Sequence, residues 1–108
     1  MATGFTMYSG DTKDVVVDMV DENGASVDVT GAMATYVIYS SKTPVVLVTK
    51  SVGDGIIVLG STITILLDPA DTADLSGYYY HELEVTNYVG VVATVLQDSI
   101  KILKDMVQ

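Results

Sequence analysis

The sequence predicts an all-β fold, a sandwich of about seven to nine short strands with one helical turn. Val, Ile and Thr dominate the chain, and β-branched side chains pack well on a pleated sheet. Turn residues recur about every 8–14 residues, which is typical of a sandwich or barrel. Several segments also alternate apolar and polar residues, as strands with one buried face do.

The strands are predicted within a single domain that covers residues 1–108, with residues 1–12 and 104–108 as candidate arms or tails. In the segment 33–40, alternation turns Ala34, Tyr36 and Ile38 toward the core. In the next strand Lys50 is expected to mark a solvated face. The predicted strands are residues 5–9, 14–20, 26–30, 33–40, 45–51, 56–59, 62–68, 78–86 and 91–103.

Short turn motifs separate these strands. Residues 21–24 read Asp-Glu-Asn-Gly, and Gly24 suits the positive φ of such a turn. Residues 41–44, 53–55 and 87–90 are further predicted turns, and residues 69–76 form one helical turn that Pro69 begins and Asp68 caps. A β-bulge is expected near Gln97 and Asp98, where the alternation slips. Residues 100–108 could instead form an amphipathic helical turn.

Charge and residue usage exclude several classes of function. The chain has 14 Asp and Glu but five Lys and no Arg, for a formal net charge of -9. Such a charge opposes binding to nucleic-acid phosphates or to an anionic membrane. With no cysteine and one histidine, disulfides, thiol catalysis and two-His zinc sites are excluded. We therefore expect no enzyme activity and no cofactor. No apolar run approaches the ~20 residues of a membrane helix.

The most specific stretch follows the predicted helical turn. It begins at Asp71 and contains Tyr-Tyr-Tyr-His-Glu-Leu-Glu-Val. In immunoglobulin-like sandwiches a corner tyrosine bonds back to upstream backbone, and alternation assigns that place to Tyr79. Because Leu83 faces the core, His81 is expected to face it too, while Tyr36 fills the place of the usual core tryptophan. The predicted fold class is therefore an immunoglobulin-like antiparallel β-sandwich.

Four stretches together carry a family resemblance. They are the turn at 21–24, Thr-Gly-Ala-Met-Ala-Thr-Tyr at 30–36, the block at 71–86 and Thr-Val-Leu at 94–96. Over residues 12–103 the chain resembles a small β-sandwich domain that recurs in virion proteins of tailed bacteriophages. The Tyr-His-Glu-Leu-Glu-Val block is the specific part. This sequence departs from the family in having Tyr36 where a tryptophan is frequent.

The resemblance implies a structural role in a phage virion. Domains of this kind look like capsid decoration, neck, or tail and baseplate adaptor proteins, and a single small domain favours decoration (cement) or neck. The implied partners are major capsid, neck or tail proteins, with the chain present in many copies or as a homo-oligomer. No basic or apolar leader follows Met1, so we expect synthesis in the host cytoplasm and a final place in the virion.

Tyr78, Tyr80, Glu82 and Glu84 share the outward face of one predicted strand. Tyrosines bury a large amphipathic area at low entropic cost and are typical of binding hot spots, so these side chains form a candidate protein interface. A carbohydrate or host-surface site is an alternative, as is glycoside hydrolysis by the paired carboxylates. A solvated sheet face without any partner also explains the glutamates.

Two apolar runs, at residues 45–48 and 89–92, lack polar alternation. Such runs are either covered on both faces or form an exposed apolar patch. We interpret them as surfaces for docking or self-association, and assign Val46 and Val48 to the candidate interface.

The histidine and the aspartates have structural explanations beside functional ones. His81 is expected to be a satisfied core histidine rather than a catalyst. Asp68, Asp71 and Asp74 could gather a Ca²⁺ ion, as could residues 21, 23 and 28, but neither set has the EF-hand spacing. Capping and turn chemistry explain both sets without a metal.

Overall fold

The computed structural model describes residues 5–21, 23–40, 45–86 and 92–104. The turns predicted at 41–44 and 87–90, most of the apolar run at 89–92 and the ends of the candidate arms lie outside these residues. The elements are β1 Thr6–Tyr8, β2 Lys13–Asp18, β3 Met33–Ser40, β4 Val46–Val52, β5 Gly55–Leu59, β6 Thr62–Leu67, α1 Pro69–Thr72, β7 Gly77–Thr86 and β8 Val92–Leu103.

The strands form one mixed sheet in the order β1-β8-β7-β3-β4-β5-β6-β2. The fold is all-β, as predicted. However, β1 runs parallel to β8 and β4 parallel to β5, so the expectation of a purely antiparallel fold is wrong. The β4–β5 pairing spans two residue pairs. The sheet curls nearly into a barrel. Within the described residues its two end strands, β1 and β2, do not pair, so the barrel stays open at a seam between them.

Alternate residues of the strands face one continuous core. In β6, Ile63, Ile65 and Leu67 are fully buried, while the residues between them are half-buried. Burying each such side chain stabilises the fold by about 1.5–3 kcal/mol. A slip of one residue would turn the whole set outward, so burial fixes the register. The buried apolar residues are Met7, Val15, Val17, Ala32, Ala34, Tyr36, Ile38, Val48, Ile56, Ile63, Ile65, Leu67, Leu83, Val85, Ile100 and Ile102.

Strand β3 has the bounds that the sequence predicts. Ala34, Tyr36 and Ile38 are buried, with at most 2% of their surface exposed. The strand pairs with β4 on one side and with β7 on the other. It therefore lies between β7 and β4 in the sheet, where it positions the residues of both neighbours.

The strand predicted at residues 26–30 is absent. Its one ladder contact is an isolated bridge between Val20 and Ser26. Asp28 Oδ1 accepts hydrogen bonds from the backbone N–H of Thr30 at 2.9 Å and from its hydroxyl at 2.6 Å. Such local bonds compete with a strand ladder and favour a turn. The two hydrogen bonds also lower the pKa of the Asp28 carboxyl, because they stabilise its charged form.

The β-bulge of the last strand lies earlier than predicted. Leu83 pairs with Leu96 and Glu84 pairs with Thr94, so Val95 is the extra residue. Asp98 stays in the ladder opposite His81 and is half-buried. The irregularity therefore does not fall at Gln97 and Asp98. The strand continues to Leu103, so residues 100–103 are not helical.

The helical turn α1 ties several segments together. Pro69 occupies the start of the helix, and the N–H of Asp68 donates to Asp71 Oδ2 at 2.7 Å. The buried Thr72 accepts a hydrogen bond from the N–H of Gly10 at 3.0 Å, which holds the β1–β2 connection against the helix. In the described part of the chain no helix has the length and apolarity to cross a membrane.

Candidate functional site

Strand β7 presents its even-numbered side chains to solvent. Tyr78 is 66% and Tyr80 is 39% exposed, Glu84 is exposed and Glu82 is half-buried. Tyr39 of β3 pairs with Tyr80 and lies on the same side. These five residues are called the tyrosine face below. The outward placement follows from the burial of the odd-numbered residues of β7 in the core.

Ring and polar contacts order the tyrosine face. The rings of Tyr39 and Tyr80 have centroids 5.7 Å apart with an interplanar angle of 36°. Lys101 Nζ of β8 lies 5.3 Å from the centroid of the Tyr78 ring, within the range of a cation–π interaction. Gln97 Nε2 donates to Glu82 Oε1 at 3.3 Å. Aromatic area is thus fixed in place on a surface that remains open to a partner.

Two shallow depressions flank this face. One, of about 210 Å³, is lined by Thr35, Val37, Glu82 and Glu84. The other, of about 260 Å³, lies beside Tyr78 and is lined also by Phe5, Thr6, Ser99, Ile100 and Lys101. Both are open to solvent. The paired glutamates therefore lie at a surface depression, not in the water-excluding cleft that glycoside hydrolysis uses.

The two valines assigned to the interface have different environments. Val46 is 55% exposed and is paired with Tyr39, next to the tyrosine face. Val48 is 6% exposed and belongs to the core, so its assignment to an interface is wrong. The register of β3 and β4 shifts between Ile38 and Tyr39, which leaves Leu47 as an extra residue. This bulge ends the alternation, so the run 45–48 is exposed at its start and buried at its end.

Tyr79 lies at the corner between α1 and β7. Its hydroxyl donates to the carbonyl of Ser76 at 3.0 Å and accepts from the N–H of the same residue at 3.1 Å. The side chain thereby satisfies two backbone groups just before β7 begins. The ring is half-buried against the core.

Tyr36 and His81 meet in the centre of the core. The Tyr36 hydroxyl lies 2.9 Å from His81 Nδ1, and both residues are fully buried. The His81 ring also makes edge contacts with Phe5 and Tyr36, with centroids 5.3 and 5.6 Å apart. Burial raises the pKa of the Tyr36 hydroxyl well above its usual range, because the phenolate would lose its hydration. His81 is thus enclosed by aromatic rings and does not reach the tyrosine face.

Lys50 does not lie on a solvated face, and that prediction is wrong. Its side chain is 11% exposed, and its Nζ is 2.8 Å from Asp71 Oδ2 and 4.0 Å from Asp68 Oδ2. A Cβ at Gly55 would lie 2.5 Å from Lys50 Cδ, so the lysine stem passes against a glycine. The sequence carried one overlooked signal, since alternation after the bulge gives Lys50 the same facing as the buried Val48.

The aspartates have turn roles in the structure. Asp21 Oδ1 accepts from the N–H groups of Asn23 and Ala25, at 2.8 and 3.0 Å. Asp71 is engaged by Lys50 and by the N–H of Asp68. Among the residues that the structure describes, no three His, Cys, Asp or Glu side chains are grouped to hold a metal ion.

A second exposed apolar surface was not singled out from the sequence. On the outward side of β2, β6 and β5, Val16 is 51%, Ile57 is 46% and Leu59 is 73% exposed. Val16 and Ile57 both pair with Thr64, so they lie in one row across the sheet. These three residues are called the aliphatic face. It could have been found by asking which strand residues lie opposite the predicted core set.

No protein-family model matches this sequence, and no curated protein matches it.

Proposed function

We propose that this chain is a non-enzymatic binding module, a structural accessory protein of a tailed-phage virion that binds other virion proteins through its tyrosine face. Capsid decoration or a place in the neck is the preferred role. The exposure of Tyr78 and Tyr80 on a sheet face is the observation that carries the binding function. The virion assignment is supported by the resemblance of the Tyr-His-Glu-Leu-Glu-Val block.

We further propose that the strands form an immunoglobulin-like sandwich. In this assignment β2, β6 and β5 form one sheet, while β8, β7, β3 and β4 form the other with β1 at its edge. The two-residue contact between β4 and β5 is then the place where one sheet passes to the other. The bonds from Tyr79 to Ser76 support this assignment, because a tyrosine corner at the start of the sixth strand is a hallmark of that fold.

The spacing of two residues from Tyr79 to His81 in β7 also supports the immunoglobulin-like assignment. In antibody domains a cysteine follows the corner tyrosine by two residues, and in this chain His81 has that place. Tyr36 lies on the third strand, where the core tryptophan packs in such domains. In this assignment the contact between Tyr36 and His81 takes the place of the tryptophan–disulfide centre.

The physical argument for protein binding rests on what the tyrosine face exposes. Tyr78 and Tyr80 present rings whose hydroxyls can remain hydrated or find partners, and Val46 extends the apolar area. Covering such rings contributes more binding free energy than covering aliphatic side chains scattered on a surface. The ring contacts already fix the tyrosines, so binding costs little further side-chain entropy.

The test uses particles assembled without this chain, to which purified protein is added back. Tyr78→Ser and Tyr80→Ser are each expected to weaken particle binding by about 30-fold, since one hot-spot truncation costs about 2 kcal/mol. Leu59→Ser, an exposed residue of the aliphatic face, is the matched control and should bind normally. A protein that stays monomeric and does not bind such particles would contradict the proposal.

Location and copy number in purified particles decide between the roles. Many copies on the capsid lattice indicate decoration, and a small ring at the portal indicates a neck protein. Copies confined to the tail or baseplate would favour the adaptor alternative.

A carbohydrate or host-surface site is the second candidate function. The depression beside Tyr78 combines an exposed ring with polar Ser99 and Lys101, a combination that suits sugar stacking. A glycan array gives the discriminating measurement. Specific binding that is lost in Tyr78→Ala would favour this function over the virion-protein interface.

A further inference from the structure

Strand β2 forms one side of the open seam of the sheet. All six of its residues pair with β6 in a regular antiparallel ladder without a bulge. On its other side, no strand of the described residues pairs with it. A free strand edge of this length exposes a row of backbone donors and acceptors to any extended segment that can approach it.

The geometry shows which groups point to the open side. The N–H of Met19, just after β2, donates to the carbonyl of Ser61, and its own carbonyl accepts from the N–H of Val27. Both backbone groups of Met19 therefore point to the β6 side of β2, one to Ser61 and the other to Val27. Because backbone groups alternate along an antiparallel strand, the N–H and C=O groups of Asp14, Val16 and Asp18 point toward the seam.

The same three residues also present their side chains outward. Val16 is 51% exposed, and Asp14 and Asp18 are exposed on either side of it. The edge thus has an acidic–x–apolar–x–acidic pattern. Lys13 has its Nζ 4.9 Å from the centroid of the Phe5 ring, which keeps the one cation of the strand away from this pattern.

Two other strand edges in the described part of the chain are less suited to strand addition. The free part of β4 has a bulge at Leu47 and an inward lysine, Lys50, and both features oppose strand addition. The edge strand β1 has three residues. Strand β2 has no bulge and no inward lysine and is twice as long as β1, so its six-residue edge is better suited than these two edges to accept another strand.

A second copy of this chain is a poor occupant of the edge. In an antiparallel pairing of two β2 strands centred on Val16, Asp14 of each copy would lie opposite Asp18 of the other. Like charges directly opposite each other destabilise a strand pair. The formal net charge of -9 adds a general repulsion between copies.

We propose that the β2 edge binds an extended segment of a partner protein in which basic, apolar and basic residues alternate at every second position. The basic side chains would lie opposite Asp14 and Asp18, and the apolar one opposite Val16. The acidic–x–apolar–x–acidic pattern is symmetric, so it accepts such a segment in either direction. The backbone hydrogen bonds hold the strand, and the two aspartates select its charge.

The test uses two synthetic peptides that differ at two positions, one reading Thr-Lys-Thr-Val-Thr-Lys-Thr and the other with Asp in place of both Lys. The basic peptide is expected to bind, and to slow amide hydrogen exchange at Asp14, Val16 and Asp18 more than at Val15 and Val17. The acidic peptide should not bind. Absence of binding, or binding without this alternating protection, would overturn the proposal.

Charge reversal of the edge gives the second measurement. The double variant Asp14→Lys, Asp18→Lys should bind the basic peptide about tenfold more weakly and should now bind the acidic peptide. The matched control Asp54→Lys, Asp74→Lys makes the same change in net charge at exposed residues away from the edge. An equal loss in both variants would mean that net charge alone attracts the peptide. Concentration-dependent dimers that protect β2 without peptide would assign the edge to a second copy instead.

Discussion

In the part of the chain that the structure describes, two interior polar pairs differ in their chemical groups and in depth. Lys50 and Asp71 form an ion pair of 2.8 Å between β4 and α1, with side chains 11% and 19% exposed. Tyr36 and His81 form a 2.9 Å contact between the neighbouring strands β3 and β7, with no exposed surface. The ion pair lies close enough to the surface to keep some hydration. The Tyr36–His81 pair has no contact with solvent and is built on a hydroxyl.

This difference follows from the cost of removing polar groups from water. A buried charge costs several kcal/mol even when it is paired, whereas a hydrogen-bonded hydroxyl costs far less. The ion pair also joins a strand of the sheet to the helical turn, since Lys50 lies in β4 and Asp71 in α1. It therefore fixes where α1 and the following corner lie. The Tyr36–His81 pair reinforces strands that the ladder already joins.

Removing one member of the ion pair is expected to have the largest effect. Asp71→Ala leaves the Lys50 ammonium nearly buried without its closest carboxylate, so we expect a loss of about 3 kcal/mol in the free energy of unfolding. Urea denaturation measures this loss. Asp74→Ala, at an exposed position of the same segment, is the control and should change stability by no more than about 0.5 kcal/mol. Equal effects of the two variants would contradict a special role for Asp71.

Removing the hydroxyl of the Tyr36–His81 pair is expected to cost less. Tyr36→Phe keeps the ring but takes away the contact with His81 Nδ1, for a loss of about 1–2 kcal/mol. The raised pKa of Tyr36 also predicts a pH dependence. Below the ordinary tyrosine pKa of 10.0 the full contribution is present. As the pH rises above that value the unfolded chain ionises first, so stability falls.

The same variant checks this pH dependence. The stability of the unaltered protein, measured by urea denaturation from about pH 8 to about pH 11, should fall more steeply than that of Tyr36→Phe. Parallel curves would mean that Tyr36 ionises as easily in the folded protein as in the unfolded chain.

The corner tyrosine is expected to contribute a smaller amount. Tyr79→Phe removes the hydroxyl that bonds to both backbone groups of Ser76, at the surface of the core, and should cost about 1 kcal/mol. Tyr78→Phe removes a hydroxyl from a side chain that is exposed to solvent, so it serves as the control and little change in stability is expected. Thermal unfolding of the two variants side by side measures the difference.

Replacing both members of the ion pair is expected to have the smallest effect. The double variant Lys50→Met, Asp71→Asn removes both buried charges. The methionine occupies the space of the lysine stem beside Gly55, and the amide oxygen of the asparagine can still accept a hydrogen bond from the N–H of Asp68. Such replacements are often close to neutral. Stability near that of the unaltered protein would show that the pair contributes position more than free energy. A loss as large as that of Asp71→Ala would contradict this.

The sequence predicted the strands well because strand alternation is a local property. The full burial of Ile63, Ile65 and Leu67 and the bounds of β3 follow from side chains that point to opposite faces in turn. The outward placement of Tyr78 and Tyr80 follows in the same way. The errors fall where local rules compete, as in the turn that Asp28 makes in place of a strand, and in the bulge at Leu47 that separates Val46 from Val48.

What the sequence by itself determined is the all-β class, most strand positions, the inward places of Tyr36 and His81, and the acidic charge. What only the tertiary structure decided is pairing across the chain: the parallel contact of β1 with β8, the ion pair that takes Lys50 out of solvent, and the open edge of β2. The physical reason is that alternation depends on neighbours along one strand. Strand order and buried ion pairs depend on residues that meet only after the sheet has curled around its core.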